Sequence, residues 1–285
     1  MPAVALLPQP LQRLWQILSA PMRLPLRHRA LFAQLLLRDV RARYQGSVLG
    51  ILWIFIVPLS MLAVYSFVFG DIFNARWPNG SGADGQTLPF ALTVFAGLTI
   101  FNIVAECWGR APGLLTDNSV YVTKIVFPVD LLPLTVLGST LVSFAAGFLM
   151  FTLFYLWTEG LPFTTWIYFP LLLLPLVFFV SGVTWILAAL GVYLRDLRQI
   201  VPVVITALMF LSPVFYPLSS VPQPWHSLML ASPLAYVLEE SKHVLLSAQP
   251  LHWNVWLRYL VFSYLICAGG HTVFQKLRRG FADVI

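Results

Sequence analysis

Apolar residues run along this chain in six long blocks separated by short polar connections, at 48–73, 88–108, 131–157, 166–194, 200–218 and 255–274. A helix needs roughly 20 residues to cross a hydrocarbon core of ~30 Å, and the blocks meet that length. In lipid the backbone must satisfy its own hydrogen bonds, so such blocks read as helices. A membrane β-barrel would show alternating segments of about ten residues instead, and the sequence has none. The pattern predicts an all-α integral membrane protein with six transmembrane helices.

The fifth block departs from a plain span. Pro202, Pro213 and Pro217 interrupt it, and an interior proline removes a backbone bond and kinks or ends a helix. The stretch 212–222 therefore reads as a broken or re-entrant segment. In the long connection that follows, Ser232-Pro233 looks like a helix N-cap with proline at the first helical position. Leu234, Val237, Leu238, Ser241 and Leu245 then recur at helical spacing, with Glu239, Glu240 and Lys242 on other faces. This predicts a short amphipathic helix lying at or dipping into the outer surface. Two further polar elements flank the spans. Within 28–44, Phe32, Leu35, Leu36 and Val40 form an apolar side against Arg38, Asp39, Arg41 and Arg43, as in a basic helix lying in a membrane interface. The connection 109–128 mixes Thr116, Asp117, Asn118 and Ser119 with Leu114, Leu115, Tyr121, Val122 and Ile125. It predicts a short helix presented to a partner.

Basic residues set the orientation. Fourteen of the seventeen lie before the first block, in the second and fourth connections and in the tail; the alternate side holds only Arg76, Lys242 and Arg258. The split predicts both termini in the cytoplasm. Composition strengthens the membrane reading: the chain is 59% hydrophobic and 10% charged, against about 25% charged in soluble domains. The net charge of +6 does not imply nucleic acid, because the basic residues sit in topological positions. Cys107 and Cys267 read as packing residues, and the five histidines show no metal-ligand spacing. The apolar run 3–7 is too short for a cleavable signal and lacks a preceding basic region.

The chemistry that is missing narrows the function. No phosphate-cradling G-x-x-x-x-G-K-[ST], no G-x-S-x-G and no H-E-x-x-H occurs. Glu106 and Asp130 sit at span ends rather than deep within them, so they read as interfacial, with a proton relay through Glu106 as the alternative. Uphill movement would then draw energy from a separate ATPase. Aromatics make up 15% of the chain and gather toward the outer side. They form an interfacial belt, or they line a sugar pathway, with Phe69, Phe73, Phe95, Tyr155, Phe215 and Tyr216 as candidates, since aromatic faces stack on sugar C–H groups.

Three segments carry a resemblance. The run from Leu35 through Arg38-Asp39-Val40-Arg41-Ala42-Arg43-Tyr44-Gln45-Gly46-Ser47-Val48-Leu49-Gly50 to Trp53 closely resembles the opening of type-2 ATP-binding-cassette permeases that export polysaccharides. Tyr193-Leu194-Arg195-Asp196-Leu197-Arg198-Gln199-Ile200 and Leu211-Ser212-Pro213-Val214-Phe215-Tyr216-Pro217-Leu218 are similar to later segments of the same family. The match runs from about Leu31, leaving an N-terminal cytoplasmic segment, 1–30, before a permease domain, 31–285. The resemblance implies a homodimer lining one channel, each subunit paired with a cytoplasmic ATPase that binds ATP and Mg, the permease itself holding no cofactor or metal. It implies an undecaprenyl-pyrophosphate-linked polysaccharide as cargo, of the O-antigen, capsule or teichoic-acid kind. It further implies that 28–44 is an interface helix and that the outer segment forms re-entrant helices. Thr116, Asp117, Asn118 and Tyr121, with Arg195, Asp196 and Arg198, would couple to the ATPase. Arg38, Arg41 and Arg43 either touch lipid headgroups or capture the carrier's pyrophosphate, since arginine matches phosphate oxygens bidentately. Two other classes stay open: a small-molecule or drug exporter permease, and a membrane glycosyl- or acyltransferase using Glu239, Glu240 and His243.

Overall fold

The apolar blocks are helical because a buried backbone has no partner but itself. The structure is a computed structural model that describes residues 9–72, 90–123 and 127–285, and no strand occurs among them. The helices are α1 (Gln9–Arg27), α2 (Arg29–Tyr44), α3 (Trp53–Tyr65), α4 (Phe90–Arg110), α5 (Ser119–Thr123), α6 (Leu131–Thr158), α7 (Phe169–Tyr193), α8 (Leu197–Leu211), α9 (Gln223–Leu230), α10 (Pro233–Leu246), α11 (Trp253–Leu277) and α12 (Phe281–Val284). Among the described residues five stretches are long and apolar enough to cross a membrane: Gly50–Phe69, Phe90–Gly113, Leu131–Thr158, Thr164–Tyr193 and Trp253–Val284.

The fifth expected block is the short one. α8 has 15 residues, ~22 Å at 1.5 Å per residue, less than a ~30 Å core. The backbone turns extended at Ser212, and Pro213 has no N–H with which to resume the ladder. Within the long helices, hydroxyls solve their own burial. Thr99, Thr135, Thr152, Thr184 and Thr272 each donate to the carbonyl four residues back, at 2.7–3.0 Å.

α4 is the central helix: 72% of its apolar window is buried, against 11% for α3. It packs on α3, α6, α7, α8 and α10. The most extensive helix pair is α7 with α11, and glycine makes it possible. A Cβ on Gly182 would stand 2.6 Å from the Ile266 carbonyl oxygen, and one on Gly270 would run into the Gly182 carbonyl. Small residues let backbones approach where no side chain fits between them. α2 crosses α6 over another glycine, but through side chains, with Phe32 and Leu36 seated over Gly138 and with Leu35 and Val40 buried.

Three features differ from the sequence reading. The stretch before 28, to which no element was assigned, carries helix α1, which packs along α11; the Tyr264 hydroxyl donates to the Leu18 carbonyl. Leu114 and Leu115, expected on a presented surface, are buried. The third is α10. It begins at Ser232-Pro233 as expected, but its polar faces are buried rather than turned outward. Glu240 and Lys242 are buried along with Leu234, Val237, Leu238 and Leu245, because α10 wedges between α7 and α4. Lys242 Nζ donates to the Pro213 carbonyl at 2.7 Å and to Glu239 at 2.9 Å. The His252 backbone N–H donates to Glu240 at 3.0 Å. These polar side chains hold the break after α8 and the start of α11, which is why they lie inside.

Candidate functional site

Most of the basic connections meet at one end of the bundle. The end of α4, α5 and the start of α6 lie there, as do the end of α7, the start of α8 and the end of α11. The Tyr193 hydroxyl donates to the Leu277 carbonyl at 2.9 Å, joining α7 to α11. α2 is tied to this end by charge. Arg110 donates to both carboxylate oxygens of Asp39, at 2.6 and 3.0 Å. Arg43 pairs with Glu106 and donates to Ser143 at 2.9 Å. Arg110 also lies 3.5 Å from Glu106, and Arg43 4.0 Å from Asp39. Charges of opposite sign alternate around the ring, so each charge is neutralised as it leaves water. Burial alone would raise the Asp39 carboxyl, but hydrogen bonds from Arg110 and Ser139 and the nearby Arg110 and Arg43 charges hold it below its ordinary value.

Two members of this ring, Arg43 and Glu106, line a cavity of about 600 Å³ bounded by α3, α4 and α6. Two stripes of polar or small residues face it. Thr99, Asn102 and Glu106 repeat at i, i+3 and i+7 on α4, and Thr140, Ser143 and Gly147 do so on α6; such spacing puts each set on one helix face. Between the stripes stand aromatic faces: Tyr44, Trp53, Tyr65, Phe95 and Phe144. Trp53 Nε1 donates to Ser47 at 2.7 Å, which fixes the indole where α3 begins. A cavity with polar donors, acceptors and flat apolar faces can hold hydroxylated, partly apolar molecules.

The candidate residues divide on this frame. Arg38, Arg41 and Arg43 go separate ways. Arg38 bonds the Tyr121 hydroxyl and lies over its ring, 5.2 Å from the centroid. Arg41 is exposed. Only Arg43 reaches the cavity. Thr116, Asp117 and Arg198 are brought together: Arg198 donates to Asp117 at 2.7 Å and to Thr116, pinning the connection after α4 to the start of α8. Asn118 donates to the Leu114 carbonyl at 2.9 Å, within its own turn. Arg195 and Asp196 are exposed. Among the aromatic candidates only Phe95 lines the cavity. Tyr155 is fully buried against Trp166 at 5.0 Å, Phe69 meets Phe90 at 5.0 Å with the rings tilted, Phe215 lies by Phe210 at 6.1 Å, and Tyr216 donates to the Phe210 carbonyl at 2.9 Å. Phe73 lies outside the described residues. The cavity's other aromatics, Tyr44, Trp53, Tyr65 and Phe144, were missed, although Tyr44 and Trp53 stand in the segment that carried the resemblance. Their signal was the polar stripe on α4 opposite them. Glu239 and Glu240, weighed as catalytic groups, are engaged with Lys242 and His252.

Residues 30–246 match the model of the ABC-2 type transporter membrane family. The chain belongs to that family. Among ABC-2 relatives, an O-antigen export system permease protein, RfbA, of Myxococcus xanthus is 30% identical over 90% of this chain and 96% of its own length. An RfbA of Klebsiella pneumoniae is 25% identical over 87% and 92%. The polysialic acid transport protein KpsM of Escherichia coli is 25% identical over 81% and 87%. The ABC-2 match takes in the ion ring, the cavity and α10, and only α11 and the tail of the basic end lie beyond it.

Proposed function

We propose that this chain is the membrane permease subunit of an ATP-driven exporter that moves a polysaccharide across the bacterial inner membrane. The observation that carries this reading is the near full-length similarity to relatives named for O-antigen export and polysialic acid transport. The cavity supports it chemically. Aromatic faces meet sugar C–H surfaces, while Thr99, Asn102 and Ser143 supply hydrogen-bonding groups for hydroxyls. Such contacts are individually weak and tolerate many glycans, which suits a polymer that must slide.

The finer reading follows from charge and length. Both termini lie in the cytoplasm with the basic end of the bundle. α2 is an interface helix, and α8 completes a sixth, short crossing, with α9 and α10 as re-entrant helices beside the exit. α5, Thr116, Asp117, Tyr121, Arg195, Asp196 and Arg198 form the docking surface of a cytoplasmic ATPase that carries ATP and Mg. The Arg198 bonds to Asp117 and Thr116 support one rigid surface rather than two loose loops. The weakly buried face of α3 supports a second copy of the chain closing the channel. The cargo is a glycan on an undecaprenyl-pyrophosphate carrier, approached from the side of Arg38, Arg41 and Arg43. Deleting the gene in its native host tests the reading. Lipid-linked glycan accumulating in the cytoplasm, cleared by the restored chain, is expected; normal surface glycan without accumulation overturns it.

A further inference from the structure

α1 and the last turns of α11 enclose a cleft that the transport cavity does not include. Its volume is about 810 Å³, within the roughly 300–1,000 Å³ of small-ligand sites. One wall comes from α1, where Ser19, Arg23 and Arg27 recur every four residues and so share the face turned to the cleft. The opposite wall is Asp130, His271 and Gln275. The Asp130 carboxylate is already committed to its own side: Gln275 Nε2 donates at 2.8 Å, while Arg278 Nη1 and His271 Nε2 each lie 3.5 Å away. Among the described residues lining the cleft, two arginines stand against one carboxylate, and that carboxylate also faces Arg278. Arg27 is exposed, so its N–H donors face outward. Leu24 and Leu26 add apolar surface, and Leu26 is 74% exposed.

We propose that this cleft binds the phosphate group of an anionic glycerophospholipid, with Arg23 and Arg27 as its ligands. A guanidinium fork matches phosphate oxygens bidentately. An amphiphile also uses what a free anion cannot: the exposed leucine beside the arginines is where an acyl chain lies. The lipid then acts as a strap, tying α1 to the end of α11. The inference rests on the membrane character of the chain and is independent of its cargo.

Native mass spectrometry of the full-length chain in neutral detergent tests it, with dioctanoyl phosphatidylglycerol, dioctanoyl phosphatidylcholine and inorganic phosphate titrated separately. Phosphatidylglycerol is expected to bind well ahead of phosphatidylcholine. The double variant Arg23→Gln, Arg27→Gln weakens it by roughly tenfold to thirtyfold. Arg27→Lys keeps the charge and retains most of the binding. Arg279→Gln, outside the cleft, changes nothing, and circular dichroism shows all variants equally helical. Equal binding of the two lipids, an unaffected double variant, or an equal loss from Arg279→Gln would each overturn the site. Inorganic phosphate binding as tightly as phosphatidylglycerol would overturn the lipid and leave a free-anion site.

Discussion

At the scale of single residues, the ion ring depends on Asp39. Its carboxylate takes both Arg110 hydrogen bonds, and bonds to charged groups contribute about 1.5–3 kcal/mol each. Asp39→Asn keeps the shape and removes the charge, so at neutral pH it should lower stability by about 2 kcal/mol. The pH dependence has a definite sign. The folded-state value is depressed, so the contribution is complete above the unfolded value of about 3.9 and fades as pH falls through the lowered one. Thermal unfolding in detergent should therefore show a gap between parent and Asp39→Asn that is wide at pH 7 and shrinks on acidification below about pH 4. A gap that stays constant with pH would show that Asp39 does not act through its charge. Much of this was legible: Glu106 was recognisable as a polar group at a span end, and Asp39 and Arg43 as the polar side of the helix over 28–44. Which of the arginines turns inward was not, because Arg38, Arg41 and Arg43 fall within one and a half turns and only the neighbours on α4, α5 and α6 distinguish them.

At the scale of elements, the contact between α7 and α11 turns on two glycines that meet backbone to backbone. Alanine is the better helix former by about 1 kcal/mol, so propensity alone predicts that any helical Gly→Ala change stabilises. Gly269 and Gly270 separate the two effects. A Cβ at Gly269 meets nothing within 4 Å, whereas one at Gly270 collides with the Gly182 carbonyl. Gly269→Ala should be neutral or stabilising by up to about 1 kcal/mol. Gly270→Ala should cost about 1–3 kcal/mol through overpacking, seen as a lower unfolding midpoint. Equal effects would mean that the helices are free to move apart. α10 gives the other lesson of this scale. Its start at Ser232-Pro233 was legible because capping is local, but its burial was not. Periodicity assigned Glu240 and Lys242 to the outside, and only the broken backbone at Pro213 and the start of α11 gave them interior partners.

At the scale of the whole molecule, α2, the connection after α4 and the start of α8 are held as one surface by Arg38 with Tyr121 and by Arg198 with Asp117 and Thr116. The Arg198–Asp117 pair is 46% and 61% exposed, so it adds only about 0–1 kcal/mol to stability. The proposed ATPase docking surface assigns its effect to coupling. Arg198→Glu alone should leave the unfolding midpoint nearly unchanged and cut glycan export in a complementation assay by roughly tenfold. The swap with Asp117→Arg should recover much of the export. A swap no better than the single change would mean that Arg198 acts on the partner and not through Asp117. The sequence by itself determined the number and position of the apolar blocks, the break near Pro213 and the helix start near Ser232. These are decided locally, because a backbone in lipid has only its own carbonyls to bond and proline withholds the donor. It did not determine which face of each helix is interior. Lipid and protein core are equally apolar, so a helix that is apolar on all sides carries no period to tell them apart. The cavity, the inward turn of Arg43 and the burial of α10 were decided only when the helices met, by close glycine contacts and by charges that had to find partners away from water.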